Sequence, residues 1–329
     1  MKINNRGDDL FHNRLFSYLQ KNLPVSIEKI TPIRNQVFYI KAKEMEFILK
    51  GFPTYSRLKQ QEDFLSSLRH IGFTNTYSFY SLAKPSPLYF ENIFYMCLEY
   101  INPSEVSFTY KNSEDRLDGL KILKHFHSVT DQLADQFQFD IPFFKQFEKW
   151  NERAAIFLNY LPNIKYFVQK EIIDELLVWA DWSLKGIQEE ANYFQSSNNV
   201  ILHGDVAHHN FLRTKNGEIF IIDFDLISIG NPHSDYLQYA NRILPFLNWS
   251  YKELEEYEIL QPYLLDKGFL YGLAYPTDIF REWNRAMRDK TYFQKGKIEQ
   301  LLSLTAGQFK ERQEFGQLLK EKVEKRNWS

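Results

Sequence analysis

Apolar positions along the chain change their period near residue 101. Before it, alternation predicts strands at Val25–Ile30, Val37–Ala42 and Glu46–Lys50, joined by residues 31–36 and by Lys43-Glu44. Tyr77–Tyr80 and Ile93–Tyr100 complete an expected five-stranded antiparallel sheet. Two helices accompany it. Asp9–Asn22 carries Phe11, Leu15, Tyr18 and Leu19 on one face, is capped by Asp8 or Asp9, and stops at Pro24. Ser56–His70 ends with Gly72 in the position that favours a left-handed residue. After residue 101 the period is helical. Leu117, Leu120, Leu123 and Phe126 form one stripe from Ser113 onward, and Phe147, Trp150, Ala154, Phe157, Leu158 and Leu161 form a second. Ile173, Leu176, Leu177, Ala180, Leu184, Ile187, Ala191 and Phe194 form a third, with a turn starting at Leu161-Pro162-Asn163. Tyr251–Leu265 is expected as one helix whose Glu253, Glu255, Glu256 and Glu258 face solvent. Lys297–Lys325 is expected as one long amphipathic helix with Ile298, Leu302, Thr305, Phe309, Leu319 and Val323 on a face. The fold class is therefore α+β and bilobal, with a sheet lobe over 1–101 and a helical lobe over 102–329 that includes a helical insertion at about 143–198.

Composition adds exclusions. Of 329 residues, 44% are apolar and 17% aromatic, so core material is ample. Forty basic against 42 acidic residues give a charge of -2, which argues against a general nucleic-acid binder. A single cysteine, Cys97, excludes an internal disulfide framework and fits a reducing compartment. The opening residues lack the apolar segment of a signal peptide and no run approaches transmembrane length, so a cytoplasmic location and no membrane partner are expected.

The chemistry concentrates in Asn199–Leu226. Val200-Ile201-Leu202 reads as a buried strand end, followed by His203-Gly204-Asp205 and, five residues after Asp205, Asn210. A hairpin turned by Asn216-Gly217, both tolerant of positive φ, returns through Ile219–Ile222 to Asp223 and Asp225. Two carboxylates and a carboxamide brought to one end of a sheet offer the hard oxygen ligands that Mg²⁺ prefers. His208 and His209 are adjacent on a loop with no third spaced ligand, a poor pattern for zinc.

His203-x-Asp205-x-x-x-x-Asn210 followed by Asp223 resembles the catalytic and metal-binding loops of the aminoglycoside phosphotransferase and choline kinase family, of protein-kinase-like fold. The HGD and IDFD forms are most similar to its spore-coat-associated branch. The resemblance implies a kinase that uses ATP and Mg²⁺ on a hydroxyl of a small-molecule acceptor, cationic or sugar-like, with a protein partner as a further option. It implies that Asp205 orients the acceptor hydroxyl and takes its proton, that His203 braces the loop, and that Asn210 and Asp223 hold Mg²⁺ on the phosphates. Lys50 matches the strand lysine that grips the α- and β-phosphates, and Glu62, on the apolar stripe of its helix, would pair with it. Met96–Ile101 matches the hinge, where the carbonyl of Glu99 and the N–H of Ile101 would meet the adenine edge. Asp235 matches the acidic residue that anchors the catalytic loop through backbone hydrogen bonds, and His125 and His127 read as structural. Asp278, Glu282 and Trp283 lie where relatives meet a cationic acceptor, although ordinary helix roles suit them as well. The chain departs from the family at residues 31–36, which contain no glycine and include Pro32, so that Arg34 is left as a side-chain phosphate donor. That departure supports an alternative, a weak or inactive kinase-like binding or scaffold protein associated with a spore coat.

Overall fold

The computed structural model describes residues 6–82, 87–190 and 199–325, with side chains from Leu10 onward. The expected cap at Asp8 or Asp9 and the stripe positions Ala191 and Phe194 lie outside the described side chains. The chain divides into two compact units, Met1–Phe108 with Asn210–Asp225, and Thr109–His209 with Leu226–Ser329. Asn210–Asp225 thus goes with the sheet rather than with the rest of 102–329.

The first unit contains α1 (Arg6–Asn22), β1 (Ile27–Arg34), β2 (Val37–Ala42), β3 (Glu46–Phe52), α2 (Tyr55–His70), β4 (Phe79–Tyr80), β5 (Leu88–Phe90) and β6 (Ile93–Glu99). Its antiparallel sheet runs β1-β2-β3-β6-β4, with β5 also paired to β6. Six strands stand where alternation predicts five. The additional one, β5, is three residues long, too short to alternate visibly, and Glu91 and Asn92, with φ of 45° and 62°, turn it into β6. Leu15 and Leu19 of α1 pack with Phe38, Ile40, Phe47, Leu49 and Tyr95, all buried, and each contributes about 1.5–3 kcal/mol by leaving water. Residues 31–36 are mostly strand. β1 continues to Arg34 as the sheet edge, where Pro32 is tolerated, and only Asn35-Gln36 turns, with Gln36 at φ 57°.

α2 closes as Gly72 predicts. Gly72 has φ +88°, its N–H bonds the Arg69 carbonyl, and the Phe73 N–H bonds that of Leu68. In the inserted segment, Phe211–Arg213 pairs with Ile219–Ile221. Only Gly217 of the turn pair takes positive φ, +84°. Its N–H bonds Thr214 and the Thr214 N–H bonds Glu218, so the connection is a three-residue loop ending in a glycine bulge.

The second unit holds α3 (Ser113–Thr130), α4 (Gln146–Ile164), α5 (Lys170–Glu189), α6 (His233–Ile243), α7 (Tyr251–Glu255), α8 (Gln261–Leu264), α9 (Lys267–Ala274), α10 (Thr277–Arg288), α11 (Lys295–Ala306) and α12 (Phe309–Lys325). The helical hairpin α4–α5 forms, but Leu161-Pro162-Asn163 belongs to the last turn of α4 rather than to the connection. Leu117 and Leu158 are exposed despite their place in the stripes. Tyr251–Leu265 breaks into α7 and α8, because Pro262 starts a new helix in its first turn. Lys297–Lys325 breaks after Ala306. Gly307 is a weak helix former, and Gln308 accepts from Trp249 Nε1 and donates to the Pro245 carbonyl. Rings from α4 and α10 stack in the core, Phe157 on Phe280 with centroids 4.1 Å apart. Among the described residues no helix is long and apolar enough to cross a membrane.

Candidate active site

In the sheet unit the chemistry centres on Asp223. The hairpin delivers it directly after Ile222, whose N–H bonds the Asn210 carbonyl at 2.9 Å, so Asn210 and Asp223 are held near each other. Asp223 sits at φ +71°, a left-handed conformation that aspartate tolerates better than most residues. The next residue locks it. Phe224 is fully buried against Phe64 and Tyr77, with centroids at 5.3 and 5.9 Å, and its carbonyl accepts from Gln61 Nε2 at 2.8 Å. Arg57 Nη2 donates to the Asp225 carbonyl at 3.2 Å. α2 therefore fixes the backbone on the far side of Asp223.

Both oxygens of Asp223 meet a cation. Lys50, buried on β3, places Nζ 2.9 Å from Oδ1 and 2.7 Å from the Asp225 carboxylate. Arg34 Nη2 lies 2.8 Å from Oδ2. Burial alone would raise the Asp223 pKa, but Lys50 and then Arg34 outweigh it and hold the group well below the usual carboxylate range. Burial likewise opposes the charge on Lys50, and Tyr77, Asp223 and Asp225 overcome it to raise that pKa.

The expected Lys50–Glu62 pair is corrected. Glu62 pairs with Lys59 at 3.0 Å, and the inward residue of α2 is Gln61. Both positions fit the interval between Leu58 and Leu65, but a carboxamide satisfies burial with one neutral hydrogen bond, whereas a carboxylate does not. Glu99 ends β6, where its carboxylate accepts from the Ser78 N–H at 3.0 Å and hydroxyl at 2.8 Å, and its own N–H bonds the Ser78 carbonyl. Ile101 follows two residues later and is half-buried.

In the helical unit the chemistry centres on Asp205. Val200–Leu202 pairs with Ser228–Gly230 and launches the loop. Asp235, in the first turn of α6, receives the His203 N–H at 2.7 Å and the Gly204 N–H at 3.0 Å, as its sequence position predicts. His127 Nε2 lies 2.9 Å from the same carboxylate. Burial would raise the Asp235 pKa, but the hydrogen bond and charge of His127, with His203, bring the net shift downward. Gly204 stands at φ +77°, and a Cβ there would fall 2.2 Å from the Leu226 carbonyl, so only glycine fits. His203 is fully buried, and its Nδ1 accepts from the Asp205 N–H at 3.3 Å.

Residues that sequence reasoning missed complete this loop. Gln238 bonds the Val206 N–H and the Gly204 carbonyl, both at 3.1 Å, and Tyr110 donates to the Val206 carbonyl at 2.5 Å. Arg242 Nη2 reaches Asp205 Oδ1 at 2.5 Å. The signal was present. Asp235, Gln238 and Arg242 stand at i, i+3 and i+7, one face of a helix. By contrast, Asp278 and Trp283 are structural. Arg312 grips Asp278 with both Nη atoms, and Trp283 is buried with Nε1 2.9 Å from Thr305 Oγ1. Glu282 pairs with Lys297 at 3.1 Å.

For magnesium, the sheet unit offers the carboxylates of Asp223 and Asp225 and the carboxamide of Asn210, oxygen donors of the hard type, and Lys50 and Arg34 already balance negative charge there. These donors are of the type the ion prefers, and among the described residues no group of three or more carboxylate, histidine or cysteine side chains gathers into a metal site.

Known proteins resemble this chain in family and in fold. A family model described as "Phosphotransferase enzyme family" matches residues 27–250. An aminoglycoside phosphotransferase from Alicyclobacillus acidocaldarius superposes with a TM-score of 0.70 at 17% identity, covering 93% of this chain and 95% of that one. The AMP complex of a spectinomycin phosphotransferase gives 0.60 at 15% identity, covering 92% and 94%. The GDP complex of aminoglycoside 2'-phosphotransferase-IIIa gives 0.62 at 12% identity, covering 91% and 98%. At such identities the likeness establishes the α+β kinase-like fold. No curated protein matches the sequence.

Proposed function

The chain belongs to the phosphotransferase enzyme family, and from that premise we propose that it moves the γ-phosphoryl group of ATP to a hydroxyl of a small-molecule acceptor. The observation that carries this reading is the contact of Lys50 with Asp223, residues 173 apart in sequence, beside Asn210. Lys50 grips the nucleotide phosphates, and Asn210 and Asp223 would hold Mg²⁺ beside them. The ion would neutralise charge on the phosphates as the bond to the leaving oxygen breaks. Asp205 accepts a hydrogen bond from the acceptor hydroxyl and takes its proton as the oxygen attacks phosphorus. Arg242, bound to Oδ1 of that carboxylate, fixes its orientation. Glu99 and Ile101 offer backbone groups to the adenine, and Arg34 supplies a side-chain donor where the β1–β2 turn has no glycine. The neighbours' bound AMP and GDP, and the aminoglycosides and spectinomycin in their names, support nucleotide binding and small acceptors as a class. Calorimetry with MgATP and an ADP-release assay with hydroxylated acceptors test the proposal. We expect binding and turnover in the parent protein, and binding without turnover in Asp205→Asn. Turnover retained in that variant removes the role given to Asp205.

One observation favours a second reading. The two-residue turn Asn35-Gln36 has no glycine to let backbone N–H groups approach phosphates closely, and Pro32 lacks an N–H. In that reading the chain is a kinase-like binding or scaffold protein, spore-coat associated, with weak or no activity. No heat and no thermal shift at millimolar MgATP would establish it over the first.

A further inference from the structure

The helical unit gathers more positive charge near Asp205 than it neutralises. Lys149 and Arg153 are one turn apart on α4 and so share a face. Arg153 Nη1 donates to the hydroxyl and carbonyl of Thr277, the first residue of α10, and Asn284 Nδ2 holds the Arg153 carbonyl at 2.8 Å. These bonds bring Arg281, one turn along α10, to the same region. Among the described residues Arg281 pairs only with Glu282, at 3.3 Å, a carboxylate already shared with Lys297. Lys149 places its ammonium 5.0 Å from the Phe144 ring and has no carboxylate in ion-pair range among the described residues. Arg242 reaches Asp205 through Nη2, and its Nε is buried without a hydrogen-bond partner. Of the other anions nearby, Asp278 is committed to Arg312 and Asp235 to His127 and the loop N–H groups.

These groups feel one another. Burial first, then the guanidinium of Arg153 and more weakly that of Arg281, lower the Lys149 pKa, against the attraction of Asp205. Burial, and more weakly Arg281, also lower those of Arg153 and Arg242. Cations held together in partly desolvated surroundings repel, and an anion placed among them removes that cost. A purely structural role accounts for Arg153, which ties two helices. It does not account for Lys149, which has no ion-pair partner among the described residues, or for Arg281, whose side chain is 45% exposed and, among the described residues, braces no backbone.

The geometry points to an acceptor that carries an anionic group, a carboxylate or a phosphate ester, alongside the hydroxyl presented to Asp205, with Lys149, Arg153, Arg242 and Arg281 receiving the anion. This assignment rests on the phosphotransferase reading and sharpens it, and it replaces the cationic acceptor that the sequence resemblance suggested. Guanidinium groups suit either anion because their paired donors match two oxygens at once.

The test uses the full chain with MgATP and matched acceptors: glycerol, D-glycerate and glycerol 3-phosphate; glucose, gluconate and glucose 6-phosphate; and ethanolamine and choline. ADP release gives rates, and phosphorus NMR identifies products. One anionic arm is expected to exceed its neutral counterpart by about tenfold or more in kcat/KM, and the better arm tells carboxylate from phosphate ester. Lys149→Gln and Arg281→Gln are expected to raise KM for that acceptor by about tenfold with little change in kcat or in KM for the neutral one. Unfolding midpoints within a few degrees of the parent's would exclude a folding defect. Neutral or cationic acceptors turned over as well as anionic ones, or an unchanged KM in both variants, would overturn the assignment while leaving the kinase reading intact. Saturation-transfer NMR with gluconate and glucose 6-phosphate, without nucleotide, judges the anion site even if no acceptor is phosphorylated. Signals stronger than for glucose and lost in Lys149→Gln support it, and signals equal to those of glucose overturn it.

Discussion

Two aspartates, one in each unit, carry the proposed chemistry and are held in opposite ways. Asp223 is clamped. Its side chain is 14% exposed, both oxygens meet cations, and its own backbone is left-handed. Asp205 is 31% exposed, with a guanidinium on one oxygen, and the fold spends its hydrogen bonds on the loop backbone around it. The difference follows from the two tasks. A carboxylate that shares a dication must stay ionised and still before the ion arrives. In the proposed reaction a carboxylate that receives a proton must meet its substrate, and the hydrogen bonds to its loop fix where it is carried.

Substitutions break this contrast in graded steps. Asp205→Asn should lower kcat by about 10³-fold, within the range for loss of a general base, with MgATP binding heat unchanged. If the heat disappears as well, Asp205 is a binding group and the contrast fails. Asp235→Asn should destabilise the fold by about 3–5 kcal/mol in denaturant titrations, because it leaves His127 and two loop N–H groups without a buried carboxylate. The same variant should blunt acid sensitivity. Asp235 is held below its unfolded value of about 3.9, so its contribution to stability is complete above that pH and declines as pH falls through the lower folded value. A parent and variant that lose stability in parallel below pH 4 would contradict this. Lys50→Met should raise KM for ATP by about tenfold, and Arg34→Gln, whose side chain is half exposed, by less. A larger effect at Arg34 would make the turn arginine the main phosphate donor. Smallest of all, Glu62→Gln should change stability and KM for ATP very little, since its partner Lys59 is on the surface and such pairs contribute less than about 1 kcal/mol. A large loss there would restore the Lys50–Glu62 pairing that the sequence suggests.

What the sequence made legible was whatever depends on near neighbours. His203, Asp205 and Asn210 are spaced along one loop, Asp235 follows at a fixed distance, and Gly72 marks a helix end by its own conformational freedom. What it hid depends on choices between adjacent residues or on distant partners. Gln61 and Glu62 fit the same helical interval, and only the buried carbonyl of Phe224 decides between them. The left-handed turn at Asp223 is permitted by aspartate but imposed by the burial of Phe224. The break between α11 and α12 needs Gln308 to find Trp249 and Pro245, some sixty residues earlier. The basic cluster was invisible for the same reason, since its members come from three helices and share no local pattern.

The assignment of Asn210–Asp225 to the sheet unit reaches beyond catalysis. A chain emerging from the ribosome has made every strand of the sheet by residue 99, yet Gln61 and Asn75 wait for Phe224 and Ile219 until more than a hundred further residues have been translated. Neither unit is one uninterrupted stretch, so a gene fragment ending at 108 encodes a sheet in which Gln61 and Asn75 lack these partners.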